Sequence, residues 1–241
     1  MSRTVRRLAL LGGAAVLALG LVVGLVVARS AEPSASASDR ASALEAAARA
    51  DVTAAHERVG GDAGRLGEPV TDVRCGLLES ACVQRFDGGA VYANGRAQSR
   101  VEIAYGDPDV AALAAAAQSQ VGYVEPSWRR SKWNQWVGNQ RAWCGIFQSW
   151  ASLASGNDDA VPMHRDFPSL VAATQDDTAR LSQVPAVGAL AFMDLEDAGR
   201  PTHVGLVVAH DGTDVTLVEG NVGPSDGRAV VRTTRTDPPI T

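Results

Sequence analysis

Hydrophobic and polar positions divide the chain into segments of different character. Residues 8–28 form an unbroken uncharged stretch of 21 residues, long enough to cross a bilayer as a helix. Residues 39–59 are rich in alanine and other helix formers, which predicts a helical stalk capped by Asp39. Residues 60–100 alternate glycine-rich turns with short apolar pieces, as expected of a small hairpin module. Residues 107–121 are predicted to be helical.

The remainder of the chain combines a helix with later strands. From Cys144 onward apolar residues recur at helical spacing, and Gly156 follows as a C-terminal stop, so Cys144 opens the predicted helix. The valine-rich segments 202–208 and 215–221 predict two strands. The predicted fold class is therefore α+β, with a helix packed on an antiparallel sheet.

The N-terminus predicts the compartment. Arg3, Arg6 and Arg7 precede the apolar stretch, and by the positive-inside rule they stay in the cytoplasm while the chain after Arg29 lies outside. A cut after Ala37 would release the same domain on the same side, so a retained signal anchor and a cleaved signal peptide both remain open. Either way the expected location is extracytoplasmic: a retained anchor holds the protein to the membrane through residues 8–28, and cleavage releases it to the cell wall.

Charge narrows the range of partners. Beyond residue 30 the chain carries 18 basic and 27 acidic residues, a formal charge of −9. Such a surface is repelled by polyanions, which argues against nucleic acid and against an anionic membrane surface as partners.

The three cysteines have different surroundings in the sequence. Cys75 and Cys82 lie seven residues apart and can form a disulfide, which leaves Cys144 as an unpaired thiol outside the reducing cytosol. A free cysteine is often only a small buried hydrophobe. At a helix start, however, the free N–H groups and the helix dipole favour the thiolate, so Cys144 is a candidate nucleophile.

His203 is the candidate base, because it begins a predicted strand directly after the loop of residues 194–201. Glu219 and Asn221 are two residues apart on the next strand and are expected to share one face, so either could orient the imidazole. His203 and His210 are seven residues apart and would lie on opposite faces of a regular strand. That spacing does not favour a zinc site, and no metal or other cofactor is expected.

The order of these residues resembles the CHAP domain of the papain-like amidohydrolases. The resemblance implies a papain-like core with Cys144 as nucleophile, His203 as base, Glu219 as its orienting partner and Asn221 as a fourth contributor. Gly145 and Gln148 stand where such domains more often carry alanine and valine. The matching segments are Gly122-Tyr123-x-Glu125, Trp143-Cys144-x-x-Phe147-x-x-Trp150, Pro185-Ala186-Val187-Gly188-Ala189-Leu190, His203-Val204-Gly205-Leu206-Val207 and Val218-Glu219-Gly220-Asn221.

The hairpin module resembles an LGFP repeat, a unit of wall-associated proteins in actinobacteria that carry mycolic acids. A single copy spans about 40 residues, where tandem copies are usual. The resemblance implies association with a cell-wall polymer, and a spacer without a ligand is the open alternative. The matching segments are Leu66-Gly67-Glu68-Pro69, Gln84-x-Phe86 and Gly88-Gly89-Ala90-Val91-Tyr92.

Together these features predict four regions: a signal anchor or signal peptide (1–30), a linker and helical stalk (31–59), an LGFP-like module (60–100) and a CHAP-like catalytic domain (105–241). The expected function is hydrolysis of a peptidoglycan amide, as an N-acetylmuramoyl-L-alanine amidase or an endopeptidase. A wall-binding or scaffolding protein that keeps the fold without turnover is the alternative. All five tryptophans fall between residues 128 and 150, where they either line a substrate groove or fill the core.

Overall fold

A computed structural model describes residues 36–96, 100–175, 181–225 and 227–241. The described chain is α+β, with two antiparallel four-stranded sheets. The apolar stretch of residues 8–28, predicted to cross the membrane, lies outside the described residues. Among the residues that are described, no helix has both the length and the apolar character needed to cross a bilayer.

Helix α1 (Ala37–Arg58) lies on the first sheet and does not stand free as a stalk. Ser36 is its N-cap, and Asp39, which the sequence suggested as the cap, is the third helical residue and completes a capping box with Ser36. The face of α1 that carries Ala48 and Val52 is buried against strands of the sheet. The predicted helix is therefore confirmed, and its apolar face belongs to the packed unit.

The first sheet has the order β1-β2-β3-β4, with β1 at Arg74–Leu77, β2 at Ala81–Phe86, β3 at Gly89–Asn94 and β4 at Arg100–Tyr105. The predicted disulfide between Cys75 and Cys82 joins β1 to β2, and Cys144 is the free cysteine. Closing so short a loop contributes about 2.5 kcal/mol to the free energy of unfolding by chain entropy.

Helix α2 (Pro108–Gln118) joins the first sheet to the rest of the fold. Asp107 caps it, and seven consecutive residues, 111–117, are buried, six of them alanine. Such small side chains let α2 pack against β2, β3 and β4 on one side and against the helix that carries Cys144 on the other. Because α1 covers the opposite face of the sheet, every residue of β3 is buried.

Polar side chains also connect the first sheet to later parts of the chain. Nζ of Lys132 lies 2.6 Å from Oε1 of Glu79, and Nε of Arg85 lies 2.6 Å from Oδ1 of Asp109. Arg74 donates to the backbone oxygen of Gly156 at 2.8 Å. These contacts hold the first sheet in a defined position beside α2 and the helices that follow.

The second half of the chain places three helices before a second sheet. The helices are α3 (Lys132–Val137), α4 (Cys144–Ala154) and α5 (Phe167–Gln175). The sheet has the order β5-β6-β7-β8, with β5 at Leu190–Met193, β6 at His203–His210, β7 at Asp214–Val222 and β8 at Ala229–Thr236. Helix α4 packs on β6 and β7, the two central strands.

Candidate active site

Cys144 is the first residue of α4, as the sequence predicted. Its side chain is only 1% exposed. The preceding residue, Trp143, is the N-cap, and its side chain makes no capping hydrogen bond. The N–H groups of the first turn therefore have no side-chain partner at the cap, and they and the helix dipole favour negative charge beside the sulfur.

Close packing places the start of α4 against β7. A Cβ atom on Gly220 would lie 2.7 Å from Cζ3 of Trp143 and 2.9 Å from Cδ1 of Phe147, so only glycine allows the strand to approach this closely. Further along the helix, Nε2 of Gln148 donates to the backbone oxygen of Val218 at 3.2 Å. The helix that carries the thiol is thereby fixed on the strand that carries Glu219.

His203, the first residue of β6, lies beside the thiol and is 9% exposed. Its Nε2 lies 3.0 Å from Oε2 of Glu219, in an ion-pair contact whose N–H direction is not aligned with the oxygen. Such misalignment is common in unliganded catalytic sites. Burial by itself would lower the pKa of His203, but its polar contacts with Cys144 and Glu219 outweigh burial and raise the pKa to about 9.

Glu219 is fully buried, and two residues besides His203 contact its carboxylate. Nη2 of Arg235 lies 2.9 Å from its Oε2 and 3.2 Å from its Oε1, and the Thr233 hydroxyl donates to Oε1. Burial by itself would raise the pKa of this carboxyl, but the ion-pair contact with His203 and the hydrogen bonds from Arg235 and Thr233 lower it to about 2. Glu219 is therefore a fixed carboxylate at neutral pH, and it favours the imidazolium form of His203.

Gly205 makes room for this carboxylate. It is paired with Glu219 across β6 and β7, and a Cβ atom on it would lie 2.8 Å from Cγ of Glu219. Because position 205 has no side chain, the Glu219 side chain can lie over β6 and reach His203 two residues away. The Gly205 in the motif is thus a steric requirement of the His203–Glu219 contact.

Asn221 does not follow the regular alternation expected for the end of β7. The pairing with β8 shifts between Glu219 and Val222, and Asn221 has a φ of 67°, in the left-handed region. Its backbone oxygen accepts a hydrogen bond from Arg228 at 3.0 Å, while its buried Oδ1 has no hydrogen-bond partner among the described residues. Of the two candidates for orienting the imidazole, Glu219 is the one in contact with it.

Glu125 supports the residue before the nucleophile. Its Oε2 accepts a 3.0 Å hydrogen bond from Nε1 of Trp143, and both side chains are buried. The Trp143 ring also stacks on Trp133, with 4.8 Å between the ring centroids. These contacts fix the turn that leads into Cys144.

Sequence reasoning missed Thr233 and Arg235, the two residues of β8 that bind Glu219. The alternation of side chains along β8 places residues 231, 233 and 235 on one face of the sheet. Since Val231 pairs with Glu219, that face is the one that carries Glu219. Finding these two residues would have required the register of β7 and β8, which depends on a bulge that the sequence pattern does not mark.

The two histidines of β6, His203 and His210, lie at opposite ends of the strand. The two histidines were expected on opposite faces because side chains alternate regularly along a strand. A bulge at residue 208 interrupts that alternation. Seven residues of strand still place His203 and His210 about 20 Å apart. Nowhere in the described ranges do three or more His, Cys, Asp or Glu side chains come together in a way that could hold a metal ion.

Comparison with known proteins found no relative of this chain. No family model, no curated protein and no solved structure matches it. The chemistry of the site is therefore inferred from its own geometry: a thiol at a helix start, an imidazole beside it, and a buried carboxylate behind the imidazole.

Glu219→Gln is expected to move the alkaline limb of the pH–rate profile to lower pH. The negative charge of Glu219 helps raise the pKa of His203 to about 9, so an amide at 219 lets the imidazolium lose its proton sooner. The loss in kcat/KM at neutral pH should be about 10- to 100-fold. Asp214→Asn is the matched control, because it neutralises a carboxylate at the far end of the same strand. An unmoved alkaline limb in Glu219→Gln would transfer the orienting role to Asn221.

The same charges link pH to stability. The pKa of His203 is raised above its ordinary value of 6.5, so its contribution to the free energy of unfolding is complete below about pH 6.5 and is lost as pH rises through about 9. The pKa of Glu219 is lowered from 4.5 to about 2, so its contribution is complete above pH 4.5 and is lost as pH falls through about 2.

Proposed function

We propose that the chain is an exported cysteine amidohydrolase that cleaves an amide bond of peptidoglycan. The observation that carries the proposal is the contact chain from Cys144, at the start of α4, through His203 to Glu219. A nucleophile, a base and an orienting carboxylate in this relation are the groups that thiol-dependent acyl transfer requires. A papain-like core of the CHAP type is the finer fold assignment that we propose with it.

The first half of the reaction forms a thioester. The Cys144 thiolate attacks the amide carbonyl carbon, and the oxyanion that develops accepts hydrogen bonds from the free N–H groups at the start of α4. His203 then donates its proton to the departing nitrogen as the C–N bond breaks. The product is a free amine and an acyl group bound to the Cys144 sulfur.

The second half releases the acyl group. His203, now neutral, accepts a proton from a water molecule that attacks the thioester carbonyl, and the C–S bond breaks to give a carboxylic acid and the original thiolate. Glu219 supports the imidazolium each time it forms. Asn221 is proposed as a fourth contributor, since it follows Glu219 by two residues at the end of β7.

Peptidoglycan is proposed as the substrate on three grounds. The sequence predicts export, the order of the catalytic residues resembles a family that hydrolyses wall amides, and the preceding segment resembles a wall-associated repeat. The membrane contact, through residues 8–28, is part of the same proposal. The bond cut is either the glycan–peptide amide or a bond within the stem or cross-bridge peptide.

The LGFP-like segment is proposed to serve mainly as a support for the catalytic part. Both faces of its sheet are covered, one by α1 and the other by α2. A wall polymer would therefore be limited to the turns and edges of the segment. This packing favours the spacer interpretation of the segment over tight binding through a sheet face.

Digestion of purified peptidoglycan, followed by mass spectrometry of the soluble products, tests the function. An amidase produces muramic acid with a free lactyl carboxylate and peptides that begin with L-alanine, whereas an endopeptidase produces shortened stem peptides. Binding to the wall without any new free amine would contradict the proposal and favour the non-enzymatic alternative.

A further inference from the structure

Trp128 differs from the other tryptophans in its exposure. Trp133, Trp143 and Trp150 are buried and Trp136 is half-buried, whereas Trp128 is 51% exposed. The sequence left open whether the tryptophans line a groove or fill the core. Their exposures show that the buried ones fill the core, whereas Trp128 is available to line a groove. Trp128 is therefore the tryptophan whose ring is most accessible to a ligand.

The exposed ring forms part of an open groove of about 560 Å³, lined by Pro126, Ser127, Trp128 and Ser225, here called the Trp128 groove. The guanidinium carbon of Arg129 lies 4.4 Å from the Trp128 ring centroid and holds the ring in place. Arg129 itself has a φ of 53°, a left-handed conformation that is uncommon for a residue other than glycine. Local backbone strain of this kind is concentrated at functional sites.

Two connections place the Trp128 groove next to the candidate active site. Trp128 is three residues from Glu125, which binds Trp143, so its Cα lies within about 11 Å of that of Glu125. On the other wall, Ser225 is four residues from Asn221, whose backbone oxygen binds Arg228. One wall of the groove thus follows Glu125, which supports the residue before the nucleophile, and the other follows Asn221 at the end of β7.

One wall of the groove belongs to a basic segment of an acidic protein. Residues 126–156 contain four basic residues and no acidic residue, although the chain beyond residue 30 has a formal charge of −9. Within the described ranges neither Arg129 nor Arg130 forms a salt bridge. A local positive surface in an acidic protein attracts an anionic substrate to that position.

We infer that the Trp128 groove binds the glycan–peptide strand of peptidoglycan, with a sugar ring stacked on Trp128 and a stem-peptide carboxylate paired with Arg129 or Arg130. The inference rests on the proposed function, since it names a substrate subsite for the same reaction. The flat apolar face of an N-acetylated amino sugar fits an exposed indole, and the carboxylate fits the guanidinium of an arginine without an acidic partner in the described ranges; Arg129 donates there only to the backbone oxygen of Gln140, at 3.4 Å.

The test measures binding in the Cys144→Ala background, which removes turnover from the measurement. The probe is a soluble disaccharide–peptide fragment of peptidoglycan, titrated by calorimetry. Trp128→Ala is expected to weaken its affinity about tenfold, and Trp128→Phe about threefold or less. Tyr105→Ala is the matched control, because Tyr105 is also exposed and carries the guanidinium of Arg65 at 4.0 Å, but lies on the first sheet. It should leave the affinity unchanged.

A second probe and added salt distinguish the contribution of charge to binding from the contribution of stacking. Arg129→Gln with Arg130→Gln should weaken binding of the anionic fragment at low ionic strength, and the difference should fade as salt is added. Binding of a neutral N-acetylglucosamine tetramer should depend on Trp128 and not on the arginines. Equal affinities for Trp128→Ala and Tyr105→Ala would overturn the inference while leaving hydrolysis intact. Normal Trp128-dependent binding without any hydrolysis by the wild-type chain would instead overturn the proposed function.

Discussion

Cys144→Ala is expected to abolish peptidoglycan hydrolysis and to leave the fold intact. Alanine fits the small buried site at the start of α4, so the packing on β7 should survive, whereas the sulfur that forms the acyl intermediate is gone. Loss of a covalent nucleophile lowers kcat by about 10³-fold or more. Release of free amines from purified wall measures the rate, and circular dichroism reports the fold.

The double variant Cys75→Ala, Cys82→Ala is the control for removal of sulfur. It deletes the disulfide, which lies in the first sheet, and should retain hydrolysis at temperatures where the chain remains folded. In the wild type, iodoacetamide should modify Cys144 faster than it modifies free cysteine near neutral pH, because the imidazole of His203, whose pKa is raised to about 9, places a positive charge beside the sulfur. Wall hydrolysis at the wild-type rate by Cys144→Ala would exclude the proposed mechanism.

His203→Ala is expected to lower kcat by about 10²- to 10⁴-fold. Without the imidazole, the thiolate loses its counter-ion and the departing nitrogen loses its proton donor, so both halves of the reaction are affected. Alkylation of Cys144 should slow in parallel, because the positive charge beside the sulfur is gone. That second readout distinguishes loss of the base from a general loss of structure.

His210→Ala is the control for this change. His210 is the last residue of the same strand, about 20 Å from the site, and its removal should alter neither hydrolysis nor alkylation. If His203→Ala retained both rates while His210→Ala lost them, the assignment of the base would be wrong.

The elements of the site could be predicted because each has a local signal. Apolar residues at helical spacing located α4 and placed Cys144 at its start, and valine-rich runs located β6 and β7 with His203 and Glu219 on them. The disulfide also had a local signal, since the two cysteines are seven residues apart. In each case the relevant physics operates within about ten residues.

What the sequence did not reveal depends on contacts between distant segments. Arg235 and Thr233 bind Glu219 only because β8 pairs with β7 in one particular register. The role of Gly205 becomes visible only once its cross-strand neighbour is known, because a glycine in a strand has no pattern of its own. The covering of both faces of the first sheet was missed for the same reason, since alanine-rich helices give no sign of what they pack against.

The alanine helix α2 has a consequence for how this chain can be divided. One side of it is buried against the first sheet and the other against the helix that carries Cys144, so no boundary near residue 106 separates two independent hydrophobic cores. A fragment that began there would expose the alanine surface to water and leave Lys132 without Glu79. Any exchange of the part that carries Cys144 between proteins, in the laboratory or in evolution, would have to carry the first sheet with it.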